Sequence, residues 1–207
     1  MTPLLSTLTP DNLRAAVAEQ YGKVAKTPDA EHPFPVGRAF AESVGYATAD
    51  LDSLPSSAVA SFAGISHPLR YAGLQPGENI LDLGCGAGMD TILAARQVGI
   101  AGMVHGLDLS PDMLECARSN MTVAGLANVS FHQSPAEQIP LPDNSMDVVI
   151  VNGIFNLCPV KETVMDETFR VLRPGGRLLV SEIVLRDMND EEWIGETCGL
   201  TLEDWFT

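Results

Sequence analysis

Short apolar runs along the chain alternate with longer segments in which apolar residues recur every three or four positions. The short runs predict five buried strands, at residues 80–83, 103–107, 129–132, 146–151 and 177–184. The longer segments between them predict amphipathic helices over residues 91–98, after Ser110 and after Pro159. This alternation predicts an α/β fold with a doubly wound parallel sheet and helices on both faces.

The N-terminal part of the chain is predicted to be helical, without strands. Thr9 is a typical N-cap, Pro10 suits the first helical position, and apolar residues continue at helical spacing to about residue 25. The prolines that follow predict an extended loop at residues 27–37. A turn is predicted at residues 50–54, and two short helices are predicted from about residue 55 and at residues 68–72.

The composition is typical of one globular domain. The 207 residues are 45% hydrophobic, which allows one sizeable core. The formal net charge is −15 with only 12 Lys and Arg, which argues against a nucleic-acid partner or an anionic membrane surface. The N-terminus lacks a signal-sequence pattern, and no apolar run approaches the roughly 18 residues that span a bilayer.

The cysteines indicate a reducing environment. Cys85, Cys116, Cys158 and Cys198 lie far apart in the sequence, without C-x-x-C spacing. Such a pattern predicts neither a disulfide framework nor a zinc module. We therefore expect a cytoplasmic protein.

A glycine-rich turn after the first predicted strand carries the clearest chemical signal. Gly84, Gly86 and Gly88 let a ligand approach the backbone where a helix begins with free N–H groups. Asp108 follows the second predicted strand, where an acidic side chain can accept hydrogen bonds from both hydroxyls of a ribose. A dinucleotide site would have its third glycine where this chain has Met89. The spacing therefore predicts a nucleoside site that does not fit a dinucleotide.

This turn and its preceding acid, Asp82-x-Gly84-x-Gly86-x-Gly88, resemble motif I of the class I methyltransferases that use S-adenosylmethionine. Three further segments are similar to the ubiquinone and menaquinone C-methyltransferases, namely GLD, AEQIPL and FRVLRPGG. Other segments resemble arsenite methyltransferases between about residues 17 and 200, namely EQYGKVA, GYATADLDSLPSSAVASFAG, DVVIVNGIFNL and IGETCG. The resemblance implies a Rossmann-like fold, S-adenosylmethionine as cofactor with S-adenosylhomocysteine as product, and no metal.

The resemblance also implies roles for the residues around the cofactor's methionine and ribose. Tyr21 and Gly22 would fold over the methionine carboxylate, and Asp82 would help to hold the same end of the cofactor. Asn152 would lie against the amino group. Asp108 would bind the ribose hydroxyls.

The adenine ring is expected to lie between Leu109 and Met113. Its edge would meet the Ala136 N–H group and Glu137, although many relatives have an acid where this chain has Pro135. The predicted cofactor residues are therefore Tyr21, Asp82, Gly84, Cys85, Gly86, Gly88, Asp108, Leu109, Met113, Ala136, Glu137 and Asn152.

The same likeness predicts three parts of the chain. Residues 1–75 would form a helical cap or lid that includes Tyr46, residues 76–186 the cofactor-binding core, and residues 187–207 an acidic C-terminal segment. Class I methyltransferases usually end with two more strands, whereas this last segment has enough residues for one helix and no hairpin. Either the sequence is a shortened piece of its protein, or the sheet lacks those strands and leaves an open edge that another chain must cover, which would produce a homodimer.

The acceptor is predicted less closely than the cofactor. Gly153, Thr197 and Ile65 stand where arsenite methyltransferases have cysteines, although Cys158 and Cys198 lie nearby in the sequence. We expect methyl transfer to a small molecule by in-line displacement, with arsenite methylation as the alternative. An alternative of a different class is a protein that binds S-adenosylmethionine without catalysis.

No catalytic residue is assigned from the sequence. His67 and His132 are candidate general bases by residue type alone, and a base is required only if the acceptor must lose a proton.

Overall fold

The structure is a computed structural model that describes residues 9–184, in which the strands form one parallel sheet of order β3-β2-β1-β4-β5. The strands are β1 Asn79–Leu83, β2 Met103–Asp108, β3 Val129–Gln133, β4 Met146–Asn152 and β5 Leu172–Ser181. Every neighbouring pair is parallel. The predicted parallel α/β sheet is confirmed.

Helices precede the sheet and alternate with its strands. Their bounds are α1 Pro10–Lys26, α2 Arg38–Ser43, α3 Thr48–Asp52, α4 Ser56–Ala60, α5 Leu69–Ala72, α6 Met89–Val98, α7 Pro111–Ala124 and α8 Lys161–Val171. Two of the predicted N-caps are present, since the hydroxyl of Thr9 accepts from Asn12 N–H and that of Ser110 from Met113 N–H.

Alternate residues of the central strands lie in two separate cores. Ile80 of β1 and Ile150 of β4 pack with Ile92 of α6 in one of them. Leu81 of β1 packs with Val164 of α8 in the other. Because side chains alternate across a strand, the two clusters lie on opposite faces of the sheet. The prediction of helices on both faces is therefore confirmed.

Two stretches differ from the sequence-based prediction in the N-terminal part. The turn predicted at 50–54 falls largely within α3, and α2 was not predicted. Both helices are very short, so neither shows the repeated apolar stripe that identifies a longer helix.

The last strand also differs from its prediction. It begins at Leu172 rather than Arg177, because Leu172 pairs with Met146 before the register shifts and Arg177 pairs with Val148. The residues between them form an irregularity in which Gly175 takes a positive φ of 82°. The strand ends at Ser181, before the predicted end at residue 184.

Several expectations concern residues that the structure does not describe. The acidic segment at 187–207, with Cys198 and the region of the two expected missing strands, lies outside residues 9–184. The division of the chain into three parts stays a prediction. Of the helices within 9–184, none has both the length and the apolar character that crossing a bilayer requires.

Candidate functional site

A cavity opens beside the carboxyl ends of β1, β2 and β4, the edge at which open parallel sheets usually bind ligands. Its empty space, including the open mouth, is about 1030 Å³. Helix α1, the segment after α4 and the loop at 134–145 complete its wall. The predicted cofactor residues that line it are Tyr21, Asp82, Gly84, Cys85, Gly86, Asp108, Leu109, Met113, Ala136, Glu137 and Asn152.

The glycine turn forms the floor of the cavity. Gly84 and Gly86 have φ values of 81° and 52°, a region that residues with a Cβ rarely adopt. The N–H groups of Gly84 and Cys85 both donate to the Leu107 carbonyl, at 2.7 and 2.9 Å. The turn after β1 is therefore tied to the end of β2.

Gly88 differs from the other two glycines because it does not line the cavity. Its φ is 87°, and a Cβ there would lie 3.0 Å from Met121 Cε and 3.4 Å from Ala117 Cβ. This glycine lets α7 approach the start of α6. A direct cofactor contact by Gly88 stays a prediction.

Asp108 is fixed in place by backbone donors. Gly86 N–H donates to its Oδ2 and Ser110 N–H to its Oδ1, each at 2.8 Å. Burial raises the pKa of Asp108, and these N–H groups oppose the rise. With the Leu109 N–H, three backbone donors act on a carboxylate that offers about four acceptor positions. The side chain is thus held in a fixed orientation at the cavity wall with acceptor capacity left over.

Two buried carboxylates, Asp82 and Asp90, lie in the cavity wall. Thr91 Oγ1 donates to Asp82 Oδ2 at 2.5 Å, and Tyr46 Oη donates to Asp90 Oδ1 at 2.6 Å. Burial raises the pKa of Asp82 to about 7, with the negative charge of Asp90 adding to the rise. Burial likewise raises the pKa of Asp90 to about 6, against the hydrogen bonds from Tyr46 and Asn152.

Asn152, at the end of β4, connects the sheet with the segment before β1. Its Oδ1 accepts from the N–H groups of Ile65 and Ser66, at 3.0 and 3.1 Å. Its Nδ2 donates to the Ser66 carbonyl and to Asp90 Oδ2, both at 3.0 Å. The side chain that was predicted to meet an amino group therefore holds Asp90 and the segment after α4.

Helix α1 covers one side of the cavity through Arg14 and Tyr21. Arg14 Nη2 lies 3.0 Å from Glu137 Oε1, which joins α1 to the loop at 134–145. The ring of Tyr21 stacks on Phe34 at a centroid distance of 5.1 Å. At Gly22 a Cβ would lie 2.6 Å from Asp112 Oδ2, so α1 approaches α7 closely here.

The cysteines have different positions relative to the cavity. Cys85 and Cys158 are buried and line it, whereas Cys116 on α7 is half-buried and does not. Burial raises the pKa of Cys158 to about 12 and that of Cys85 well above its usual range. Both thiols are therefore protonated at neutral pH.

Neither of the two candidate histidines lines the cavity. His67 stacks on Tyr46 at a centroid distance of 4.0 Å. His132 Nε2 lies 3.1 Å from His105 Nδ1, on neighbouring strands of the sheet. Burial lowers the pKa of His67 and of His132. No group of three or more His, Cys, Asp and Glu side chains within residues 9–184 is arranged to hold a metal ion.

The wall residues that were not singled out in the sequence include Asp90, Ser61 and Arg14. Asp90 has the sequence signature of an ordinary acid in the first turn of a helix. Ser61 is 4% exposed, and its hydroxyl has no hydrogen-bond partner among the described residues. Only the packing of the N-terminal segment against the sheet brings Ser61 and Arg14 to the cavity.

Comparison with known proteins identifies the family. A family described as a methyltransferase domain matches residues 74–203, more than half of the chain. The chain belongs to this methyltransferase family. The resemblance to class I S-adenosylmethionine-dependent methyltransferases is thereby confirmed at the level of the family.

Curated relatives of this methyltransferase chain are named for different acceptors. An arsenite methyltransferase of Halobacterium salinarum is 43% identical over 143 residues, which are 69% of this chain and 36% of that protein. A demethylmenaquinone methyltransferase of Listeria monocytogenes is 40% identical over 110 residues, 53% of this chain and 46% of that protein. The chain therefore spans less than half the length of these two relatives.

Solved methyltransferase structures have the same fold. An arsenic(III) S-adenosylmethionine methyltransferase from Chlamydomonas reinhardtii matches with a TM-score of 0.58 and 38% identity, over 63% of this chain and 46% of that one. A S-adenosylmethionine-dependent methyltransferase from Aquifex aeolicus matches with a TM-score of 0.52 and 28% identity, over 66% and 76% of the two chains.

The residues of the cavity fit the cofactor that this family implies. S-adenosylmethionine carries positive charge at its sulfonium and ammonium groups. No ion pair of residues 9–184 includes the buried carboxylates of Asp82 or Asp90. A buried carboxylate without a cationic partner attracts a cationic ligand. The unpartnered hydroxyl of Ser61 offers a further polar contact in the same wall.

Proposed function

We propose that this chain transfers a methyl group from S-adenosylmethionine to a small-molecule acceptor by in-line displacement. The observation that carries the proposal is the cavity beside the glycine turn and Asp108. Asp82 and Asp90 lie buried in its wall, and no cationic side chain within residues 9–184 forms an ion pair with them. Family membership supports the same reaction. The bound cofactor would supply an electrophilic methyl group, so the protein's task is to position the acceptor and exclude water.

We propose roles for the cofactor residues that are compatible with their places in the cavity wall. Asp108 would accept from the ribose hydroxyls, because its backbone donors already fix its orientation. Leu109 and Met113 would enclose adenine, and the buried Ala136 would present its N–H group to the ring edge. Tyr21 would cover the methionine end from α1.

The acceptor would lie against the apolar part of the wall. Phe62, Ile154 and Leu157 line the cavity beyond the glycine turn. Burial of apolar surface contributes about 25 cal/mol per Å², so these side chains favour an acceptor with an apolar portion. We propose an organic small molecule in preference to a purely ionic acceptor.

A second candidate is arsenite methylation, because Cys85 and Cys158 line the same cavity and relatives are named for that activity. Thiolates are the form that binds soft metalloids, whereas burial raises the pKa of both thiols. We favour the organic acceptor, because burial disfavours the thiolate form of both cysteines.

Calorimetry with S-adenosylmethionine and S-adenosylhomocysteine tests the cofactor proposal. We expect both to bind to the folded protein. If neither binds while circular dichroism reports a folded chain, the proposal is wrong.

Turnover separates the acceptors. We expect S-adenosylhomocysteine to form with one or more members of a panel of phenols, quinols and thiols. Turnover with arsenite that disappears in Cys158→Ser and persists in the control Cys116→Ser would instead establish arsenite methylation. Binding without turnover on any acceptor would support the non-catalytic alternative. A homodimer and a cytoplasmic location stay predictions beside this proposal.

A further inference from the structure

Asp90 occupies an unusual position in the cavity wall. It lies in the first turn of α6 and is 7% exposed, yet it lines the cavity. Its two oxygens accept from neutral donors on two other segments, Tyr46 Oη and Asn152 Nδ2. Three separated parts of the chain thus meet at one carboxylate.

The amide of Asn152 has no capacity left for a ligand. Its two N–H hydrogens go to Ser66 O and Asp90 Oδ2, and its oxygen accepts from Ile65 and Ser66 N–H. An amide provides two donors and two acceptor positions, so all four are engaged. The contact of Asn152 with an amino group stays a prediction, and a side chain in this wall with free acceptor positions is better suited to it.

Asp90 is such a side chain, and a carboxylate binds an ammonium group more strongly than an amide oxygen does. Each of its oxygens has one protein donor and keeps a further acceptor position. Asp82 stands close enough that the charge of Asp90 raises its pKa, so both carboxylates favour a nearby cation.

Among residues 9–184, the charged groups around this pair include no cation that pairs with it. Asp108 also raises the pKa of Asp82, and burial keeps the Tyr46 phenol neutral by raising its pKa. Burial lowers the pKa of His67, which stacks on Tyr46, and Arg70 lowers it further. Arg14 lines the cavity but pairs with Glu137 and Asp11.

We propose that the Asp90 carboxylate binds the ammonium group of the methyl donor, and that Asn152 and Tyr46 are positioning residues that aim it. This inference rests on the proposed function and names one of its contacts. A protonated Asp90 no longer attracts the ammonium group. The affinity for S-adenosylmethionine therefore rises as the pH increases through the range in which Asp90 ionises. Below that range, binding of the ligand releases the proton of Asp90.

The test compares three ligands by calorimetry at pH 7.5. S-adenosylmethionine and S-adenosylhomocysteine both carry the ammonium group, whereas 5′-methylthioadenosine has the nucleoside and the thioether without the amino-acid end. In Asp90→Asn we expect the first two affinities to fall at least tenfold and the third to change less than threefold. The control Asp166→Asn removes an exposed charge from α8, outside the cavity, and should change none of them.

A pH series provides a readout that a purely structural role would not affect. In the wild type we expect the affinity for S-adenosylmethionine relative to 5′-methylthioadenosine to rise about tenfold between pH 5 and 7.5. In Asp90→Asn the rise should be less than threefold, because only the more distant charge of Asp82 still changes in this range. Tyr46→Phe removes one hydrogen-bond donor from the Asp90 carboxylate, and this hydrogen bond lowers the pKa of Asp90. The variant should therefore move the midpoint of the pH curve to a higher pH than in the wild type. This second variant decides the matter if Asp90→Asn does not fold.

The outcomes separate the inference from the proposed function. If the wild type binds none of the three ligands, the proposed function itself fails. An equal loss of affinity for all three ligands in Asp90→Asn would overturn the ammonium contact, and so would a loss of affinity for S-adenosylmethionine alone. Neither result would contradict the proposed function. Unchanged affinities in a folded Asp90→Asn would overturn it as well.

Discussion

At the scale of single residues, Asp82 and Asp90 make the stability of the unliganded protein depend on pH. Their pKa values in the folded protein, about 7 and about 6, lie above the ordinary value of 3.8. A raised carboxyl pKa means that folding favours the protonated form. The stabilising contribution is complete below about pH 4 and is lost as the pH rises through 6 to 7.

We therefore expect Asp90→Asn to lose less free energy of unfolding than the wild type between pH 5 and pH 8. About one pKa unit of the Asp90 shift, or about 1.4 kcal/mol, is lost between these two pH values, so the two losses should differ by about 1.4 kcal/mol. Urea unfolding at both pH values measures the difference. Asp166→Asn should lose as much as the wild type, and equal losses in all three proteins would contradict the argument.

Gly84 combines a positive φ with a close neighbour. Its φ is 81°, and a Cβ would collide with the side chain of Ile154. Gly73 has a φ of 56° but no atom within 4 Å of its Cβ position. We expect Gly73→Ala to lower the free energy of unfolding by about 1 kcal/mol, through backbone strain alone. Gly84→Ala should lower it by about 2 kcal/mol or more, because the steric contact adds to the strain.

Thermal unfolding and calorimetry distinguish the two glycine variants. Donor affinity should fall at least tenfold in Gly84→Ala, because the turn is the floor of the cavity, and should be unchanged in Gly73→Ala. Equal effects of the two substitutions would show that steric contact with Ile154 is unimportant.

At the scale of elements, Arg170 of α8 holds the loop that brings Ala136 and Glu137 to the cavity. Its guanidinium donates to the carbonyls of Ile139 and Leu141, at 2.7 and 2.8 Å, and pairs with Glu167 and Asp143. The side chain of Glu167 in turn accepts from Ile139 N–H at 2.8 Å. The loop is thus fixed from α8 by the planar fork of one arginine.

Arg170→Lys should loosen this loop, since an ammonium group cannot reproduce the fork. We expect donor affinity to fall about three- to tenfold and the melting temperature to fall by several degrees. Arg96→Lys is the matched control, because Arg96 contacts Ser53 and does not line the cavity. A similar loss of affinity in both variants would show that the loop is not the cause.

The sequence predicted those elements whose signals are local. Thr9 and Ser110 cap the helices that they were expected to cap, and the glycine turn lies between β1 and α6 as predicted. These signals depend on adjacent residues. Asp90 escaped prediction because its role depends on Tyr46 and Asn152, which are 44 and 62 residues away in the sequence.

At the scale of the whole molecule, α1 closes one side of the cavity and is attached to its far side by one ion pair. Arg14 and Glu137 are separated by 123 residues in the sequence. Both side chains are largely buried, and a partly buried pair contributes more than an exposed one. We therefore expect this contact to slow the escape of a bound donor.

Arg14→Ala should raise the dissociation rate of S-adenosylmethionine about tenfold, because it leaves Glu137 unpaired and opens the cavity. Stopped-flow displacement measures the rate. Lys26→Ala removes a more exposed ion pair between α1 and α7, with Asp112, and should change the rate less than twofold. If the two variants release the donor equally fast, the closing role belongs to α1 as a whole.

The sequence indicated a helical N-terminal cap without indicating where it would lie. The ion pair of Arg14 with Glu137, the bond from Ile65 N–H to Asn152 and the place of Ser61 in the cavity wall come from packing between distant parts of the chain. No local pattern encodes such contacts. The fold and the glycine turn could therefore be predicted, while most of the opposite wall could not.

The uncompensated carboxylates of Asp82 and Asp90 also bear on how long the protein survives in a cell. Without a donor, they lower the folding stability at neutral pH, whereas a bound cation removes that penalty. Proteases remove a protein in proportion to the time it spends open or unfolded. We expect the abundance of this methyltransferase to follow the supply of its methyl donor, falling when the donor is scarce.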